Sequence, residues 1–258
     1  MTNSQRTWNL IAAVAILAAF SAVCLLVFSS LHGSWDWSKP WQYRALLMRG
    51  WVATIWVSLG ALAGSSLVGI LLLLGQRSGL PALKWPCRLF LEFVRETPLL
   101  VQLLIGYFVI FAPLLSRTLD DWGWNDKLVI GIILLSLFQG AYLGEILRGG
   151  VDSLARAQWD SARAVGFTSV QAYRYVIFPQ ALRRVLPAVA GQFVSLVKDS
   201  SLLMVIGVQE FAYQARVYTA QTYGGLEAYV PLALGYLILT APIAWMAHRL
   251  ERRYRDAT

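Results

Sequence analysis

Six stretches of this chain run for about the thickness of a bilayer with almost no charge, a pattern that a soluble core does not need. They lie at Leu10 to Phe28, Gly50 to Leu74, Thr97 to Leu115, Lys127 to Leu147, Pro187 to Val208 and Glu227 to Ala247. Each holds roughly the 20 apolar residues that carry a helix across the hydrocarbon core. The runs are too long for barrel strands and lack strand alternation, so helices are expected. Composition agrees. Only 14% of the 258 residues are charged, against about 25% in a soluble domain, and mean hydropathy is +0.56. The expected class is an all-α polytopic membrane protein with six transmembrane helices.

The net charge of +8 is not spread as a nucleic-acid footprint; the basic residues cluster between the apolar runs. Fifteen of the 22 Lys and Arg residues fall on one side if the N-terminus is inside. These are Arg6, the set Arg77, Lys84, Arg88 and Arg95, the six from Arg148 to Arg184, and Arg249 to Arg255. The positive-inside rule then puts both termini in the cytoplasm of a bacterial inner membrane, among anionic lipid headgroups. Trp35, Trp37, Trp41, Trp51, Trp122 and Trp124 read as interfacial anchors. The first run is longer than a signal-peptide core, and Val23 before Cys24 makes a poor lipoprotein cleavage site, so a retained span is expected. Cys24 lies in that run and Cys87 in a basic loop, an implausible disulfide. His32 and His248 are far apart, which removes support for a histidine metal site.

Between Arg148 and Leu186 the chain stays on the cytoplasmic side, and a connection of that length is usually functional or disordered. Its composition is not that of a disordered segment. Val151 to Val165 reads as a helix with small residues at Ala155, Ala157, Ser161, Ala162 and Ala164, stopped by Gly166. Ser169 to Phe178 reads as a second helix closed by Pro179. Such a helix, small on one side and stopped sharply, suits a partner's groove. A structural loop packed under the bundle is the plainer alternative.

The run Gln158-Trp159-Asp160-Ser161-Ala162-Arg163-Ala164-Val165-Gly166, with Phe178 and Pro179 beyond it, resembles the coupling motif of binding-protein-dependent ABC importer permeases. That pattern is Glu-Ala-Ala, then Gly three residues later, then an apolar residue and Pro. Asp160, Ser161 and Val165 depart from it while keeping charge or size. Glu92 to Gln102, Tyr142 to Gly150, and Lys198 to Leu202 with Glu210 resemble the polar-amino-acid branch, with Glu96 where Gly is usual. The resemblance implies a five-helix type I importer core preceded by one extra helix: 1–49, then 50–248, then a basic tail at 249–258. It also implies that Gln158, Asp160, Ser161, Ala162, Arg163, Ala164, Gly166, Phe178 and Pro179 contact an ABC ATPase subunit dimer. Further expected partners are a second permease, the same or homologous, and a periplasmic substrate-binding protein that delivers an amino acid. ATP and Mg belong to the ATPase, with no cofactor on this chain. The absence of a Gly-Lys-Ser or Gly-Lys-Thr phosphate loop agrees.

Charges inside a span are costly, about 2.5–3.5 kcal/mol on insertion scales. Lys198 and Asp199 therefore head a candidate substrate path with Gln102, Tyr142, Glu145, Gln192, Ser195, Ser200 and Ser201. A bipolar lining suits a zwitterion. Interhelical bonding or a clamp between permeases explains the same residues, and is the simpler reading for Gln102 and Gln139. An intramembrane enzyme would need a nucleophile–base pair or a carboxylate cluster at one depth, and neither is present in the sequence. A secondary transporter would show matched inverted halves and gives no reason for the coupling loop.

Overall fold

The computed structural model describes residues 3–30, 36–122 and 126–255. Expectations about His32, Trp35, Trp124 and the side chains of Arg6 and Cys24 lie outside the described residues. The chain forms two compact units, Met1–Trp37 and Ser38–Thr258. The first is helix α1, Asn3–Ser30, whose apolar side chains such as Ile16, Phe20 and Leu25 are exposed.

The second unit begins with a short helix α2, Ser38–Gln42, and then α3, Arg44–Arg77. α3 starts before the expected Gly50, because Arg44 is held over the Trp41 ring at 4.9 Å and donates to the Trp41 carbonyl at 3.0 Å. Trp51, expected as an interfacial anchor, instead donates from Nε1 to the Gly235 carbonyl at 3.1 Å, across to the last helix.

The basic segment around Cys87 is a helix rather than a loop: α4, Pro81–Glu96, with Pro81 in its first turn. Its alternation of bases with Trp85, Leu89 and Phe93 is amphipathic, and its Leu91 and Val94 are buried. The chain then turns by 113° into the third span. That span comprises α5 (Leu99–Leu104), a π-helical stretch (Ile105–Phe111) and α6 (Ala112–Asp121). Thr97, although a cap-forming residue at the start of that span, does not cap it. Its hydroxyl donates back to the Phe93 carbonyl at 2.7 Å and closes α4 instead.

Helix α7, Asp126–Asp152, is the hub, more deeply buried than α3 or either of the two long spans that follow. It lies against α3 along a seam of small residues: Ser65 and Gly69 face Gly140 and Gly144. A Cβ on Gly69 would stand 3.0 Å from the Gly144 nitrogen, and one on Gly144 would stand 3.2 Å from the Gly69 carbonyl. Lipid supplies no hydrophobic drive between helices, so this close backbone approach is how such a pair gains contact energy.

After α7 come α8 (Arg156–Ala164) and α9 (Ser169–Ala172), a π turn (Tyr173–Ile177) and α10 (Phe178–Asp199), followed by a 3₁₀ stretch (Ser200–Ile206). From Ser169 to Ile206 this is one continuous helix of 38 residues. Pro179 therefore does not close a helix: it sits in the first turn of α10, where its missing N–H is not needed. The fifth span is longer than Pro187 to Val208 for the same reason. Gly207 takes φ +85 and reverses the chain into α11, Phe211–Thr222. α12, Gly225–Arg255, carries the basic tail as a continuation of the last span.

Gly144→Val should lower the stability of the purified chain by about 1–3 kcal/mol, because backbone on the facing helix cannot yield. Gly149, beside which a Cβ meets nothing within 4 Å, supplies the contrast. Gly149→Ala should be neutral or stabilising by up to about 1 kcal/mol. Thermal unfolding in one detergent compares the two.

Candidate functional site: a projecting helix and a buried polar relay

α8 is a two-turn helix set apart from its neighbours. The expected helix from Val151 is broken at Ser153, because α7 ends at Asp152 and a new helix begins at Arg156. Val151 and Leu154 pack with Ile177 and Ala181, and Trp159 and Tyr173 close over them with ring centroids 6.3 Å apart. Of α8 itself only Ala162 is buried and Trp159 half-buried; Gln158, Asp160, Ser161, Arg163 and Ala164 are exposed.

Its end is built from two backbone hydrogen bonds. The Phe167 N–H donates to the Ala162 carbonyl at 3.1 Å and the Gly166 N–H to the Arg163 carbonyl at 2.9 Å. Gly166 sits at φ +87, the left-handed conformation this ending requires. Two residues later Thr168 starts α9 with a reciprocal cap. The Gln171 N–H donates to the Thr168 hydroxyl at 3.3 Å, and the Thr168 N–H donates to the Gln171 side chain at 2.9 Å. Gln180 Nε2 donates to Gln158 Oε1 at 3.1 Å, tying α8 to α10. Val165, Val170, Tyr175 and Phe178 are left exposed around it, and Pro179 is exposed beside them.

The residues expected to line a path divide into separate groups. Gln192 Nε2 donates to Gln139 Oε1, and Gln139 Nε2 donates to an Asp199 carboxylate oxygen at 2.7 Å. This relay joins α7 to α10 through a fully buried Gln139. Lys198 points elsewhere. It is exposed with Ser195, Gly191, Ala188 and Arg184 on one stripe of α10, and no carboxylate among the described residues lies within 4.0 Å of it. Tyr142 packs on Phe138 with centroids 5.1 Å apart. Ser200 and Ser201 turn back to the Val197 and Lys198 carbonyls, each at 2.7 Å.

Two expected members are not part of this group. Gln102 is spent on the break between α4 and α5, donating to the Val94 and Thr97 carbonyls at 2.8 and 2.9 Å. Glu145 is near the end of α7 in a charge cluster. Arg148 pairs with Glu145 at 2.5 Å and with Asp152 at 2.8 Å, and Arg77 reaches Asp152 at 2.7 Å.

Glu210 is the carboxylate that sequence reasoning undervalued. It is fully buried and caps α11, accepting from the Ala212 and Tyr213 N–H groups, both at 2.8 Å. It also accepts from the Tyr236 hydroxyl at 2.8 Å and from Thr54 at 3.4 Å, so three helices meet on one side chain. Its place three residues after the left-handed Gly207 was the signal.

Residues 57–256 match the family described as the binding-protein-dependent transport system inner membrane component. The chain belongs to that family. It is a multi-pass permease subunit of an ABC importer, a transport component of the inner membrane. The permease is 34% identical over 220 residues to the glutamine transport system permease protein GlnP of Escherichia coli strain K12, covering 85% of this chain and 98% of that one. It is 32% identical over 209 residues to the probable glutamine ABC transporter permease protein GlnM of Bacillus subtilis strain 168, covering 81% and 93%. A solved amino acid ABC transporter with histidines superposes with a TM-score of 0.75 at 30% identity, over 86% of the permease and 100% of that chain. The MetNI methionine ABC transporter, at 19% identity and a TM-score of 0.66, shares the fold, over 83% of the permease and 98% of that chain.

Glu210→Ala should destabilise the permease by about 2–4 kcal/mol, since it strips a cap and leaves buried donors unmet. Glu210→Gln keeps an acceptor and should cost less. Unfolding midpoints of the two variants, compared with the parent, check the order.

Proposed function

We propose that this permease forms the membrane path for a polar amino acid and is driven through α8 by a separate ATPase. The observation that carries the reading is α8 itself: an exposed helix with the small residues Ser161 and Ala164 open near its end and a glycine-defined stop. A groove on a partner can approach it closely, and its anchoring through Trp159 and Gln180 hands any movement to α10. ATP and Mg would be held by that partner, an ABC ATPase dimer. A periplasmic binding protein would deliver the substrate. The basic bias of the connecting segments supports an N-terminus and C-terminus in the cytoplasm. Residues 1–49 are read as an addition to a core at 50–248, with 249–258 a basic extension.

A second permease is expected over the open stripe of α10. Arg184, Ala188, Gly191, Ser195 and Lys198 recur at spacings of four and three, and a Cβ on Gly191 would meet nothing within 4 Å. A cation facing hydrocarbon is unfavourable, so Lys198 must face protein or water. In this reading Lys198 and Ser195 line the path and meet the substrate carboxylate. Asp199, held by Gln139, leaves its second oxygen open toward the substrate ammonium. The close relatives named for glutamine support an amino acid as cargo.

Gly166→Val should fray the end of α8, since a left-handed residue with a Cβ costs about 1–2 kcal/mol. Transport in proteoliposomes should fall while the assembled complex still hydrolyses ATP; normal uptake with normal assembly would remove the coupling assignment.

Lys198→Gln and Asp199→Asn separate a path from a clamp. A path predicts intact complexes whose preference among anionic, neutral and cationic amino acids changes. Complexes that come apart in detergent assign the pair to assembly instead.

A further inference from the structure

The charge cluster at the end of α7 extends into a cavity of 420 Å³ roofed by α4. Five bases line it against three acids, Glu92, Glu145 and Asp152. Arg77 and Arg148 are already paired with the acids, and Arg95 lies 3.9 Å from Glu145. Lys84 and Arg88 are not: neither has a carboxylate within 4.0 Å among the described residues. They stand one turn apart on α4, Lys84 half-buried, and both face the cavity.

α4 has three faces. Leu91 and Val94 are buried against the bundle, and a Cβ on Gly75 of α3 would run into Cys87. Lys84, Arg88 and Arg95 form the polar face. Trp85, Leu89 and Phe93, each one position further on than Lys84, Arg88 and Glu92, form an apolar face exposed at 71%, 57% and 60%. The 113° turn at Thr97–Pro98 sets α4 close to the membrane plane when α5 runs along the normal. A helix lying there, with bases beside an aromatic and apolar stripe, has the layout of an interfacial anchor.

We propose that Lys84 and Arg88 bind the phosphate of an anionic phospholipid whose acyl chains lie along Trp85, Leu89 and Phe93. Glu145 and Asp152 are taken by other arginines, and even with Glu92 counted the five bases of the cavity exceed its three acids by two, an excess that an external anion can offset. The adjoining apolar stripe, together with the family's membrane setting, selects a lipid over a soluble one. The arginine fork suits phosphate oxygens and lysine adds a point charge. A phosphodiester there offsets one of the two excess positive charges at the junction of α3, α4 and α7.

The test is native mass spectrometry of the full transporter complex in neutral detergent, titrated with phosphatidylglycerol or with phosphatidylcholine of the same acyl chains. The parent should retain phosphatidylglycerol in preference. At about 1 kcal/mol per surface cation, Lys84→Gln should weaken its binding about fivefold and Lys84→Gln/Arg88→Gln about thirtyfold. The swap Lys84→Arg/Arg88→Lys should bind as the parent does, showing that charge and not the particular fold of the variant is responsible. The proposal is overturned if the double Gln variant binds phosphatidylglycerol normally or if the two lipids bind alike. Displacement of the lipid by inorganic phosphate at equal concentration would also overturn it, assigning the cations to a soluble anion. So would loss of another subunit from the double variant with lipid binding unchanged.

Discussion

The bundle depends on how closely α3 and α7 approach. With Ser65 and Gly69 against Gly140 and Gly144, the two backbones come near enough that added Cβ atoms would meet peptide atoms at 3.0 to 3.3 Å. That approach makes α7 the axis around which the other helices are arranged. Gln139 precedes the first of those glycines and Glu145 follows the second, so the seam sets where both side chains emerge. Gln139 is thereby presented to α10, and Glu145 to the charge cluster with Arg148.

Glu210 and Asp199, both within the bundle, carry different consequences. Glu210 accepts from two backbone and two side-chain donors, which leaves it little capacity for anything else. It is a joint between α3, α11 and α12. Asp199 accepts from one side-chain donor, Gln139, and stands where α10 tightens into a 3₁₀ stretch. Removing the partner of a buried charge is costly, so full satisfaction at Glu210 means rigidity, while partial satisfaction at Asp199 leaves room for exchange.

Two breaks in α-helical register connect the projecting helix to this interior. At Tyr173–Ile177 the Phe178 N–H reaches back to the Tyr173 carbonyl, a π turn next to Pro179. At Ser200 the helix tightens instead. Between them α10 is a continuous rod that bears Gln192, Lys198 and Asp199 at one end and takes the Gln180 contact with α8 at the other. A displacement of α8 therefore reaches the relay through α10.

Local chemistry made much of this legible in the sequence. Apolar runs of bilayer length identify spans because no water is available to satisfy an exposed backbone. Gly166 identifies the end of α8 because only glycine takes φ +87 without strain. The projecting helix, the family and the helical class follow from those signals. Where boundaries depend on packing, the sequence misleads. α4 reads as a basic loop because its Pro86 and three bases mask an amphipathic helix, and only contact with α3 and α7 shows which face is buried. Pro179 reads as a terminator, whereas a preceding π turn lets the helix run on. Gln102 and Glu145 read as path residues because polarity within an apolar run says that a partner exists, not which one. The sequence by itself determined which groups must be satisfied. The tertiary structure decided by whom, because a hydrogen bond or ion pair between helices depends on a crossing that no local stretch of chain specifies.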